Sequence, residues 1–446
     1  MPRRLSIALA CLAALVPAGQ ASATPKLHTK AGRHAKLRAN PASPYIVVLK
    51  DSAITSPRAA TDQLAAQVGF TPKLRYSAAI AGFSANLTAL QVTTLQTNPM
   101  VASVEADTTV TAAGMVGLAT GETVPVGMRR IGAASLTQAH PAANGAVAVL
   151  DTGIDLNNSD LNAVNGTNCI TAGATAQDDN GHGTHVAGTI AAKNNGNTVT
   201  GVAPGTTVYA VKILNASGVG TKSQVVCGID WVTANAAALN ITVANMSIVA
   251  TGANDNNCGK TNADTEHQAI CRSVAAGVTY VAAAGNAKTK MTTSIPAAYP
   301  EVLTVTAVSD SDGLPGAKGP SFCKTGTIEK DDYYGSYSNY ASTTAENNHT
   351  IAAPGTCVVS DKPGGGTALY YGTSQASPHV AGAVALCLGS AGLAGACTGM
   401  TPAQVINKMR ADAAANATTT NSFVGSPIKS PVSGRYYGNL VAANLY

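Results

Sequence analysis

The sequence predicts a three-layer α/β fold with a mostly parallel central sheet, preceded by a small α+β module. Two observations predict the larger part. From about residue 124 onward, short continuous apolar runs alternate with helical stretches of small residues. That is the pattern of parallel strands covered on both faces. Of the 446 residues, 45% are hydrophobic and only 11% charged, ample for a large core. A third observation predicts the module: between 45 and 105 strand-like and helix-like runs form a unit of their own.

The elements follow in order. Arg3 and Arg4 precede an apolar stretch, Leu5 to Val16, and Ala21-Ser22-Ala23 reads as a cleavage site. Residues 1–23 are therefore expected to be a secretory signal, and the chain an exported, extracellular one. The apolar run is too short for a membrane anchor and no comparable run follows, so no membrane association is expected. Residues 24–43 are basic, rich in Ala and Pro, and read as a linker. The module is assigned to 44–112. Tyr45–Leu49, Gly82–Leu87 and Val101–Glu105 read as strands, and Thr61–Val68 and Leu87–Gln96 as helices. A Thr/Ala/Gly-rich segment at 108–121 suits proteolytic processing. The larger domain, 121–446, is expected to place strands at Val147–Leu150, Thr207–Leu214, Ile241–Met246, Val278–Ala283 and Val302–Ala307. Ser223 to Ala238 is the clearest helix between them, and 250–272 and 310–338 read as insertions.

Charge and cysteine content narrow the function. The formal charge of +5 is concentrated at the start, because residues 1–40 hold seven of the 28 basic residues and no acid. The rest carries 21 bases against 23 acids, so no nucleic-acid partner is expected. Beyond Cys11, eight cysteines remain, an even number that suits disulfides in an exported chain. Cys258 with Cys271, and Cys387 with Cys397, close the shortest loops. No Cys-x-x-Cys pair offers a zinc cluster.

Four segments carry chemistry. Asp151 ends an apolar strand and Gly153 permits a sharp turn after it, where catalytic groups of α/β sheets gather. A lone Asp-Thr-Gly does not make an aspartic protease, whose two carboxylates share a proton; no second copy occurs. His182 opens a helix of small residues. His182 and His185 lack the Glu of a His-Glu-x-x-His zinc site, and His185 reads as a packed histidine. Ser374 stands at the start of a small-residue helix, beside free N–H groups and a positive dipole end that favour an oxyanion. Asn286, after Ala282–Gly285, offers a second donor from the end of a strand. An acid, a base and a nucleophile in the order Asp, His, Ser exclude an α/β-hydrolase esterase, which needs Ser first.

With Gly372-Thr373-Ser374-Gln375-Ala376-Ser377-Pro378-His379 and His182-Gly183-Thr184-His185-Val186-Ala187-Gly188 in place, the chain resembles the subtilisin-like serine protease family over about 45 to 446. The resemblance implies the three-layer subtilisin-like fold, with Asp151 as orienting acid, His182 as general base, Ser374 as nucleophile and Asn286 in the oxyanion hole. It implies that 44–112 is an inhibitor-like prodomain, that the mature enzyme begins between about 107 and 122, and that Tyr436 to Leu445 ends the catalytic domain. It implies protein or peptide substrates, the prodomain as intramolecular inhibitor, and a monomer. Substrate would lie between Ser217-Gly218 and Ser247-Ile248, against a wall of Ala283, Ala284 and Gly285, as an added strand. Where the family has Gly-Gly this chain has Val249-Ala250, which narrows the pocket. Lys288 and Lys290 stand at its rim, and an apolar residue before the scissile bond is expected. Structural calcium is implied, held by Asp160 and Asn195 and the carbonyls of Lys193, Asn197 and Val199, with Glu122 near the mature start; all are oxygen donors. The rival within this family is a catalytically silent binding protein that keeps the fold.

Overall fold

The computed structural model describes residues 41–50, 55–77, 80–107, 115–320, 322–324 and 328–446. The expected signal, nearly all of the basic linker and part of the processing segment lie outside them. The chain forms two compact units that divide between Thr111 and Ala112.

The first unit contains β1 (Ser43–Leu49), α1 (Pro57–Val68), β2 (Pro72–Tyr76), β3 (Gly82–Leu87), α2 (Ala89–Gln96) and β4 (Val101–Ala106). The strands form an antiparallel sheet in the order β2-β3-β1-β4. Helix α1 starts four residues before the expected Thr61, because Ser56 caps it and Pro57 suits its first turn. Gly69, at φ 77°, ends it. Thr88 and Gln91 form a reciprocal capping box on α2. The core gathers Val47, Leu49, Leu64, Phe83, Leu87 and Leu95. Strand β2 escaped the sequence reading because its middle, Lys73 to Arg75, is exposed and shows no alternation.

The second unit is built on β5 (Ala146–Asp151), β6 (Asn162–Asn168), α3 (His182–Ala191), β7 (Thr207–Lys212), α4 (Lys222–Asn235), β8 (Ile241–Met246), α5 (Thr265–Ala275), β9 (Thr279–Ala283), β10 (Val302–Ser309), β11 (Tyr333–Tyr334), β12 (Thr350–Pro354), α6 (Thr373–Leu388) and α7 (Pro402–Asn416). Its sheet runs β11-β10-β9-β8-β5-β7-β6, with β12 also on β10. All pairs are parallel except that of the edge strand β11. Successive side chains of β5 face opposite ways. Val147 and Val149 join the core with residues of α3, α6 and α7. Ala146, Ala148 and Leu150 join a second core with residues of α4 and α5. Both faces are covered, which is why β5 reads as a continuous apolar run.

Small residues in α6 let it lie close to its neighbours. A Cβ on Gly382 would come within 2.6 Å of Val202. The helix is buried from Gln375 through Cys387, and each fully buried Val or Leu contributes roughly 1.5–3 kcal/mol. The last third of the expected insertion at 250–272 is helical, since α5 begins at Thr265, capped by Asp264. Disulfides join Cys258 to Cys271 and Cys387 to Cys397, the two short loops, and also Cys169 to Cys227. Cys357 is disulfide-bonded as well. Among the described residues, no helix is long and apolar enough to cross a membrane.

Candidate active site

Asp151 is the last residue of β5, His182 the first of α3, and Ser374 the second of α6, inside the first turn rather than before it. The sheet thus delivers all three to the carboxyl-end side of its central strands. His182 Nδ1 lies 2.7 Å from Asp151 Oδ1, whose side chain is fully buried while the imidazole is 26% exposed. Thr152 N–H donates to the same carboxylate oxygen at 2.7 Å. This approach requires Gly183, because a Cβ there would collide with the carbonyl oxygen of Gly153. Burial disfavours the imidazolium of His182, but the charge and hydrogen bond of Asp151, with help from Asp178, outweigh it and raise its pKa.

Asp178 was missed by the sequence reading. Its Oδ1 accepts from Thr152 Oγ at 2.8 Å and from Gly181 N–H at 2.9 Å, and its Oδ2 from Thr184 N–H at 2.9 Å. It ties the end of β5 to the start of α3. The only available signal was an acid four residues before the first residue of a helix. Lys212 is buried beside it, donating to the Thr152 carbonyl at 2.5 Å and to Asp179 at 2.6 Å.

Ser374 Oγ donates to the Ser247 carbonyl at 3.1 Å, so the hydroxyl is turned toward that strand end. Ser374 and His182 line one cleft of about 500 Å³. Ser247 Oγ in turn donates to the Ser374 carbonyl at 2.7 Å. Asn245 donates to Ser247 Oγ and accepts from Ser377 Oγ, at 2.9 and 2.7 Å. These bonds clamp the end of β8 to the first turn of α6. Neither Asn245 nor Ser377 stood out in the sequence, where both look like ordinary polar residues of buried elements.

Asn286 follows β9. Its Oδ1 accepts from Thr373 N–H at 2.8 Å and Thr373 Oγ at 2.9 Å, which fixes the amide with its NH2 end on the other side. Asn286 Nδ2 comes within 3.1 Å of where a Cβ on Gly372 would stand, and Gly372 has φ 148°. The backbone conformation favours glycine before Thr373, and the close amide adds to that preference. In the first turn of α6, Asn286 takes the Thr373 N–H and the Gly372 carbonyl takes those of Gln375 and Ala376, which leaves the Ser374 N–H open among the described residues.

Gly218, Ser247 and Ile248 line the cleft, as do Val249 and Ala250. Ser217 and the Ala283–Gly285 wall are not among its lining residues. Ala283 and Ala284 are buried at the end of β9, and Val249 is half exposed. A Val249 methyl stands 3.5 Å from where a Cβ on Gly285 would be, which fits a narrowed pocket.

Donors for a cation cluster elsewhere. Glu122 Oε2 accepts from Asn195 and Gly196 N–H at 2.9 and 2.8 Å. Asp160 accepts from Thr198 Oγ, which also reaches Asp361 at 3.0 Å. Lys193 N–H donates to the Asp160 carbonyl at 2.9 Å, and Asn195 Oδ1 accepts from Asn197 N–H at 2.9 Å. Thr198 and Val199 follow; the backbone of Val199 bridges to Thr123. Among the described residues, Glu122 Oε1, Asp160 Oδ1 and Asp361 Oδ2 are buried without a partner. Three orphaned carboxylate oxygens suit a calcium ion. Asp361 was not foreseen. A separate acidic group, Asp310, Asp312 and Asp331, brings its oxygens within 4.8 Å of one another, but Asp310 ion-pairs with Arg130.

Residues 143–426 match the subtilase family, and residues 44–113 match the peptidase inhibitor I9. Subtilisin E of Bacillus subtilis (strain 168) is 36% identical over 68% of this chain and 70% of its own length. Subtilisin of Bacillus pumilus is 37% identical over 60% of this chain and 85% of its own. A cold adapted subtilisin-like serine proteinase of known crystal structure aligns with a TM-score of 0.52 and 26% identity, over 73% of this chain and all of its own. Fold and relatives define the class, a serine-type endopeptidase with a three-layer α/β core. Within that class, the chain belongs to the subtilase family and carries an I9 prodomain.

Proposed function

We propose that the chain is a secreted endopeptidase, made as a zymogen that cuts itself free of its prodomain. Ser374 attacks the scissile carbonyl while His182 takes its proton, Asp151 holds the imidazole and stabilises the imidazolium, and water releases the acyl-enzyme. The attack requires Ser374 Oγ to turn from the Ser247 carbonyl toward His182, a rotation about one bond; catalytic hydrogen bonds often tighten only with substrate bound. Asn286 Nδ2 and the Ser374 N–H receive the oxyanion. The observation that carries this reading is the 2.7 Å contact between Asp151 and His182 in the cleft that also holds Ser374. Export is supported by the apolar start of the sequence and by the disulfides.

Calcium is proposed as a structural ion on Glu122, Asp160 and Asn195, with the Lys193, Asn197 and Val199 carbonyls and Asp361 nearby. Bound there, it neutralises crowded carboxylates and ties the start of the second unit to the 193–199 loop; it takes no part in the chemistry.

Ser374→Ala tests the reading. The variant is expected to stay full length when expressed and to lose casein hydrolysis by several orders of magnitude. Normal prodomain removal in that variant would contradict self-processing. A wild-type mature form that leaves casein intact would favour the silent binding protein instead.

A further inference from the structure

One buried acid in the substrate cleft has no part in the proposed chemistry. Glu266 lies in the first turn of α5 and lines the cleft that holds His182 and Ser374. An acid in the first turn of a helix complements its dipole, which by itself calls for no ligand. Dipole acids do this from the surface, however, and Glu266 is only 2% exposed. Its Oε1 is buried with no hydrogen-bond partner among the described residues. The cleft it lines also presents the apolar side chains of Leu214, Val225 and Ile248. A carboxylate left unpaired in such a place costs stability that a hydrophobic residue would not.

The cations nearby are engaged elsewhere. Lys222 ion-pairs with Asp264 at 2.9 Å, and its side chain is 43% exposed at the cleft. Tyr299 donates to the other oxygen of Asp264 at 2.5 Å. His267 pairs with Glu301 at 2.8 Å and lies 3.6 Å from Asp255. Glu266 therefore offers an unsatisfied acceptor to whatever enters the cleft.

We propose that Glu266 is a specificity-determining residue, the floor of a subsite that takes a lysine or arginine side chain of the substrate. This rests on the endopeptidase reading. A peptide added antiparallel to Ser247–Ala250 passes Ala250 before it reaches Ser247 and Ser374, so the residue concerned precedes the scissile bond. The aliphatic stem of lysine or arginine covers Leu214, Val225 and Ile248 while its cationic head pairs with the carboxylate. Burial pushes the Glu266 carboxyl up to about 7, with Lys222 opposing this, Asp264 adding to it and His267 opposing it. Preference for a basic residue should therefore strengthen as pH rises through that value.

The test is a positional scan of fluorogenic peptides with the processed enzyme, comparing Lys, Arg, Met, Leu and Ala at each position before the cut. At one position, kcat/KM for Lys or Arg is expected to exceed that for Met on the order of ten- to a hundred-fold, the range of a charge-assisted bond. Glu266→Gln should bring the ratio close to one, and Glu266→Leu should invert it. Thermal melts establish that both variants are folded, and the near-isosteric Gln keeps the test valid if Leu disturbs α5. Peptides cut with no basic preference, or a preference that survives both substitutions, would overturn the proposal and leave the peptidase reading standing. Failure to cut any peptide would overturn both.

Discussion

At the scale of single residues, the pH response of His182 follows from its surroundings. The imidazole must be neutral to take a proton from Ser374. Its pKa stands above the ordinary 6.5 because Asp151 and Asp178 outweigh burial. As pH falls through that raised value the base is lost. The acid limb of kcat/KM is expected to have its midpoint above 6.5, and Asp151→Asn to move it to lower pH, since burial is then opposed only by Asp178. A limb that Asp151→Asn leaves in place would show that another group controls it. The triad candidates were legible in the sequence because each sits in a short motif whose glycine has a steric reason: Gly183 under Gly153, and Gly372 beside Asn286. Asp178, Asn245 and Ser377 were not, because their value lies in partners far along the chain or hidden in turn geometry. Glu266 was equally silent: nothing in the sequence says that a first-turn acid is buried in a cleft.

At the scale of elements, the continuous apolar runs located five of the eight strands of the main sheet to within a residue or two, because burial on both faces removes polar alternation, while β6, β11 and β12 were not read from the sequence. Strand β2 and the start of α1 were missed for the opposite reason, since local capping and edge pairing decide them. The 193–199 loop is the element on which the proposed calcium bears. Its fit rests on the orphaned oxygens of Glu122, Asp160 and Asp361. Stripping calcium with a chelator is expected to lower the Tm of the mature form on the order of 5 °C, as for loss of an ion held well above its Kd. Asp160→Asn should abolish most of that difference. A Tm indifferent to both calcium and chelator would rule the ion out.

At the scale of the whole molecule, buried histidines set the acid limit. His185 stacks on Tyr370 with ring centroids 4.5 Å apart and bonds the Val358 carbonyl at 3.0 Å. His379 sits inside α6 against the Gln375 carbonyl at 2.8 Å, and His349 under the Val302 carbonyl at 3.0 Å. Burial lowers all three to about 4 from 6.5. Unfolding lets each take up a proton more readily. The stability they contribute is complete above about 6.5 and is lost as pH falls toward 4, at about 3 kcal/mol per histidine. Denaturant unfolding of Ser374→Ala, which avoids self-digestion, should show this loss between pH 6.5 and 4; stability that stays flat over that range would contradict it. In the sequence the pattern of runs changes only near residue 124, after the poorly patterned 108–121, and the disulfide of Cys169 with Cys227 was not legible, its ends being 58 residues apart.

The most direct test of the central claim is active-site labelling of the processed protein with a fluorophosphonate, followed by peptide mapping. One adduct is predicted, on Ser374, lost in His182→Ala while that variant remains folded. A folded, processed protein that carries no adduct at Ser374, or one whose labelling is indifferent to His182, would contradict it.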